Sequence, residues 1–105
     1  MKEGIIMNVT KTISDGKELV KVEGRLDSVN ASQLEASVKE GLDEISELEF
    51  DFSKLDYISS AGLRILLSTL KSLNAKGGSM YLSGCNDTIL EILEVTGFKD
   101  ILNIR

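Results

Sequence analysis

Histidine is absent from the 105 residues. With it goes the usual base that activates a serine, which counts against a hydrolase. An enzyme using a serine nucleophile would need Asp, Glu or Lys as base, and no Gly-x-Ser-x-Gly elbow is present. There is one cysteine, Cys85, so neither an internal disulfide nor a cysteine zinc cluster can form. Its sequence setting is that of a small buried hydrophobe near a strand end. Proline is also absent, and no linker, repeat or low-complexity tract interrupts the chain. No apolar run approaches the roughly 20 residues of a membrane helix. The start, Met1-Lys2-Glu3-Gly4-Ile5-Ile6-Met7, lacks a signal peptide's long apolar region and small-residue cleavage site. A cytoplasmic protein is expected. Basic charge is the scarcer sign, 12 Lys and Arg against 17 Asp and Glu, for a net charge of −5. Nothing resembles the clustered cations of a nucleic-acid groove.

What is present suits one globular domain, at 42% hydrophobic and 28% charged residues. The chain is organised around Asp51-Phe52-Ser53-Lys54-Leu55-Asp56-Tyr57-Ile58-Ser59-Ser60-Ala61-Gly62-Leu63. Before it, Glu47 to Phe52 alternate apolar and acidic residues, the pattern of a strand with one wet face. After it, Leu63, Leu66, Leu67, Leu70, Leu73 and Asn74 recur at helical spacing, so a helix begins near Ser59 or Ser60. Serine at a helix start is most often an N-cap. The alternative is a hydroxyl displayed for chemistry beside unpaired N–H groups, as a phosphate acceptor.

The remaining elements follow in order. Ile5 to Thr10 alternate as a first strand, Ser14-Asp15-Gly16-Lys17 is a turn, and Leu19 to Gly24 return as a second strand, hence an antiparallel hairpin. A helix then carries Leu34, Val38, Leu42 and Ile45 on one stripe. Asn30 with Gln33, or Ser32 with Glu35, forms its capping box. Lys76-Gly77-Gly78 stops the central helix. Ser79 to Ser83 form another strand, Asn86 or Asp87 caps a third helix that ends at Thr96-Gly97, and an apolar tail, Phe98 to Ile104, docks as a short helix or edge strand. The order β-β-α-β-α-β-α predicts a single α/β domain with a mixed sheet of four to five strands. Lys21, Glu23, Glu47, Glu49 and Tyr81 occupy the strands' second face, so the helices cover mainly one face.

Two segments carry a resemblance to a known family. Gly24-Arg25-Leu26-Asp27 is similar to Gly-x-Leu/Ile-Asp, and Asp51-Phe52-Ser53 with Tyr57 to Leu63 is similar to Asp-x-Ser and Asp-Ser-Ser/Thr-Gly-Leu. Both belong to the STAS domain, the fold of bacterial anti-sigma-factor antagonists, and the order of elements agrees over residues 1–105. The resemblance implies a non-enzymatic, phospho-switched binding module. It would hold an anti-sigma serine kinase when unphosphorylated and release it once phosphorylated, and a phosphoserine phosphatase would reset it. ATP would belong to the partner, so no cofactor is expected, nor a nucleic-acid or membrane partner. Anchored on Gly62-Leu63, the acceptor is Ser60. The chain departs from the pattern at Ser59, where the family has aspartate, and at Ala61; Ser59 is therefore the fallback acceptor. A second reading is an unphosphorylated scaffold or anion-sensing domain of the same fold.

The resemblance places Asp27 beside the serine as an interface residue, although an aspartate there also suits an Asx-turn or cap. Asp51 and Ser53 are expected to brace the loop through side-chain-to-backbone bonds. On a helical wheel Ile65 falls roughly 140° from the centre of the leucine stripe, with Ala61, Ser68 and Ser72. The expected partner surface is therefore an exposed Ile65 with Ser59, Ser60, Ala61, Arg64 and Ser68 around it.

Overall fold

Asp15 and Gly16 take φ of +54° and +77°, the left-handed pair of a primed two-residue turn whose twist matches that of the flanking strands. They join β1 (Met7–Ser14) to β2 (Lys17–Leu26), paired antiparallel from Ser14↔Lys17 to Met7↔Gly24. The computed structural model describes residues 7–105. The expected strand residues Ile5 and Ile6 lie outside the described residues.

Helix α1 (Ala31–Lys39) follows β2. Neither expected capping box forms. Asn30 is the N-cap residue without a side-chain cap bond, because its Oδ1 accepts from the Asp27 N–H at 2.9 Å. The helix also ends earlier than the Leu34-to-Ile45 stripe suggests. Gly41, at φ +81°, turns the chain into a 3-10 turn at Leu42–Glu44, leaving Leu42 half-buried and Ile45 buried outside any helix.

Strand β3 (Glu47–Asp51) runs parallel to the first half of β2, and β4 (Leu55–Ile58) parallel to its end. The alternation predicts no strand over 55–58. One forms because β2 is ten residues long and β3 pairs only its first five, so its remaining N–H and C=O groups need partners. The turn at 52–54 breaks the period that would have revealed it. Helix α2 (Ser60–Ala75), β5 (Ser79–Ser83) and α3 (Asp87–Val95) complete the crossovers. β5 lies beside β3, giving the order β1-β2-β3-β5 with β4 against β2. The tail takes both expected forms, a 3-10 turn at Phe98–Asp100 and a parallel bridge from Ile104 to Leu82.

The alternation sorts the sheet. Val20, Val22, Leu26, Leu48, Phe50, Met80 and Leu82 are fully buried on the helix-covered side. Lys21, Glu47, Glu49 and Tyr81 are exposed or half-buried on the other. There the Arg105 guanidinium stacks 3.7 Å from the Tyr81 ring centre and pairs with Glu49 at 2.9 Å. Asn86 caps α3, accepting from the Ile89 N–H, and its Nδ2 donates to the Leu55 carbonyl, which ties the helix start to β4. Cys85 is half-buried, and burial pushes its thiol pKa up. Among the described residues no helix is long and apolar enough to cross a membrane.

Candidate functional site

Parallel pairing of Leu26 with Ile58 brings the ends of β2 and β4 side by side. The Ser59 N–H donates to the Leu26 carbonyl at 2.8 Å. The loops carrying Asp27 and Ser59–Ser60 therefore leave the sheet together, and α1 and α2 start next to each other.

The two serines differ in what their hydroxyls do. Ser59 is extended, at φ −93° and ψ 173°, and its Oγ accepts from the Gly62 N–H at 3.2 Å. It is the N-cap of α2. Ser60 is the first helical residue, exposed, and its Oγ makes no hydrogen bond among the described residues. Aspartate and serine are comparable N-caps, and Ser59, standing where the family motif has aspartate, caps α2 without carrying a charge.

Gly62 is needed for space. A Cβ there would stand 2.7 Å from Leu26 Cγ and 2.9 Å from Ile58 Cγ1, so the first turn of α2 sits directly on the ends of β2 and β4. Close approach also fixes the β5–α3 loop. Gly84, at φ +71°, would place a Cβ within 2.9 Å of the Ser53 backbone N. Asp51 Oδ1 accepts from the Ser53 N–H at 2.9 Å, and this bond chiefly holds the Asp51 carboxyl below its ordinary value. The Asp51 side chain is thus bonded to the loop backbone at Ser53.

Asp27 is built into the entry of α1. Its Oδ1 accepts from the N–H groups of Val29 and Asn30, at 3.0 and 3.2 Å. This Asx-turn presents Val29, 86% exposed, at the tip of the loop. A lone valine in a polar loop has no periodic partner in the sequence that would mark its exposure.

The expected surface around Ile65 requires correction. Arg64 and Ser68 are exposed and Ala61 is half-buried, but Ile65 is buried at 9% and belongs to the core. The buried positions of α2 are Gly62, Leu63, Ile65, Leu66, Thr69, Leu70 and Leu73. At about 100° per residue their arc is centred roughly 60° away from the leucine stripe. Helix α2 rests on β5 and β4 and also packs beside α1, and burial against this second neighbour takes in Ile65 and leaves Leu67 and Asn74 outward. Thr69 is tolerated in the buried arc because its Oγ1 donates to the Ile65 carbonyl at 2.7 Å. The Ser68 hydroxyl donates to the same carbonyl at 3.2 Å, so it is turned onto its own helix.

A mixed sheet opened by an antiparallel hairpin, with a helix starting where two parallel strands end, is the α/β class that the motifs indicate. The STAS domain family matches residues 8–105, and the chain belongs to that family. It is 34% identical over 99 residues to BtrV of Bordetella bronchiseptica, covering 93% of this chain and 85% of that protein. It is 30% identical over 100 residues to the anti-sigma-B factor antagonist of Staphylococcus aureus, covering 94% and 93%. The crystal structure of an anti-sigma factor antagonist from Mycobacterium paratuberculosis has the same fold, with a TM-score of 0.84 at 24% identity over 94% of this chain and 85% of the other.

Proposed function

We propose that this protein is an anti-sigma-factor antagonist that acts as a binding module switched by phosphorylation of Ser60. Unphosphorylated, it holds an anti-sigma serine kinase. The kinase moves the γ-phosphoryl group of its own ATP onto Ser60 Oγ, the hydroxyl proton leaves, and ADP departs with the old bridging oxygen. The modified protein lets go, and a phosphoserine phosphatase resets it.

One observation carries this reading. Ser60 displays a free, exposed hydroxyl at the start of α2, while the neighbouring Ser59 hydroxyl is engaged in the cap. The names and extents of the relatives point the same way. The helix N-terminus accommodates the added charge, and the dianion stands where a partner would approach.

The test is incubation of the intact protein with its cognate anti-sigma kinase and Mg·ATP. Intact mass should show one added phosphoryl group, fragmentation should place it on Ser60, and calorimetry should show affinity lost on modification. Phosphate on Ser59 would shift the acceptor by one. Tight binding without any phosphorylation would favour the unphosphorylated-scaffold reading.

A further inference from the structure

Next to Ala61, the residue that follows Ser60, a trough of about 540 Å³ runs between α1 and α2. Short side chains explain it. Ala31 and Ser32 line one wall, Ala61 the other, and Ile65 lies along it, while Arg64 and Lys71 stand at the rim. Their charge is unusual for this chain. In a protein of net charge −5, no Asp or Glu occurs from Tyr57 to Asn86, and every ionisable residue of α2 is basic. Among the described residues neither Arg64 nor Lys71 lies within 4.0 Å of a carboxylate. Glu35, the acidic group on the α1 wall, is paired with Lys39 at 3.5 Å.

Seven residues separate Arg64 from Lys71, about 20° apart on the helix and roughly 10 Å along it. From this charge pattern we infer that the α1–α2 trough is a docking groove for an acidic amphipathic helix of the anti-sigma factor. The helix lays an apolar side chain against Ala31, Ala61 and Ile65, and sets carboxylates about two turns apart against Arg64 and Lys71. This rests on the proposed function and adds how the switch works. Ser60 and Arg64 are i and i+4 on one face, so a phosphate on Ser60 reaches the guanidinium and takes it from the partner's carboxylate. The groove loses a cation and gains a dianion at one end.

The experiment measures affinity for the purified cognate anti-sigma factor at low and high salt. Lys71→Glu changes the rim, Ser32→Trp plugs the trough from α1, and Ser60→Asp reports the switch; unchanged melting temperatures confirm folding. Lys71→Glu is expected to weaken binding by about five- to tenfold at low salt and less at high salt, and Ser32→Trp by about tenfold or more. Normal binding by both, with Ser60→Asp weakened, overturns the groove and leaves the switch standing. Weakened groove variants with normal Ser60→Asp do the reverse. A parent protein that does not bind the anti-sigma factor overturns both. If either groove variant unfolds, amide shifts of the parent on adding the anti-sigma factor decide. Shifts at Ala31, Ser32 and Glu35 support the groove, and shifts confined to the surroundings of Ser59 and Ser60 overturn it.

Discussion

Ser59 Oγ accepts the Gly62 backbone N–H at 3.2 Å, and this bond separates two adjacent serines into a structural residue and an available one. Removing an N-cap hydroxyl costs about 1 kcal/mol, whereas an exposed surface substitution usually stays within about 0.5 kcal/mol. Ser59→Ala is therefore expected to lower the melting temperature by about 4–8 °C, and Ser60→Ala to leave it nearly unchanged. Equal effects in thermal unfolding would contradict the cap assignment.

Phosphorylation is expected to leave the fold intact. A phosphate adds about −1.5 to −2 charges at a helix N-terminus, which favours anions by roughly 0.3–2 kcal/mol. That gain offsets repulsion from the net negative charge and from exposed Asp56. Calorimetry of the modified protein should show a melting temperature equal to or slightly above that of the parent. A large drop would mean that release comes from unfolding.

Burial of Ile65 where α2 meets both the sheet and α1 predicts a packing role. Ile65→Ala should cost about 2–4 kcal/mol in urea unfolding, and Ile65→Glu should lose the cooperative transition, since it buries an unpaired carboxylate. Arg64→Glu, one residue earlier and exposed, should stay within about 0.5 kcal/mol. A stable Ile65→Glu protein would return this residue to the surface.

At Gly62 two effects oppose. Alanine is favoured over glycine in a helix by about 1 kcal/mol, but overpacking a tight core costs about 1–3 kcal/mol. With the added Cβ at 2.7–2.9 Å from buried Leu26 and Ile58, overpacking should win. Gly62→Ala is expected to be less stable than the parent by chemical denaturation.

Glu18 provides a pH test. Its side chain is fully buried, its oxygens accept no hydrogen bond among the described residues, and Lys11 Nζ lies 3.5 Å from Oε2. Burial raises its pKa, Lys11 partly opposes the rise, and Glu40 adds to it. The folded state thus holds the Glu18 proton to higher pH than the unfolded chain, whose value is about 4.3. Stability falls as pH rises from there through the raised value. Glu18→Gln should be relatively more stable at pH 7 than the parent, with the difference shrinking towards pH 4. An advantage that grows on acidification would reverse the sign.

Local pattern was enough for the hairpin, the helix boundaries at Ser59–Ser60, Gly77 and Gly97, and the two-sided character of the strands. Each is a local matter of period, left-handed glycine or cap chemistry. The sequence also carried the family motif, because Gly62 and Leu63 lie in one unbroken run with Ser60. Tertiary structure decided what depends on a second neighbour. The loop of Asp27 came to lie beside the start of α2 because the end of β2 pairs with the end of β4 through Leu26 and Ile58. β4 formed because β2 had unpaired backbone left. Ile65 went inward because α2 touches α1 as well as the sheet, and a helical wheel records the spacing of residues along one helix but not how many surfaces that helix must bury.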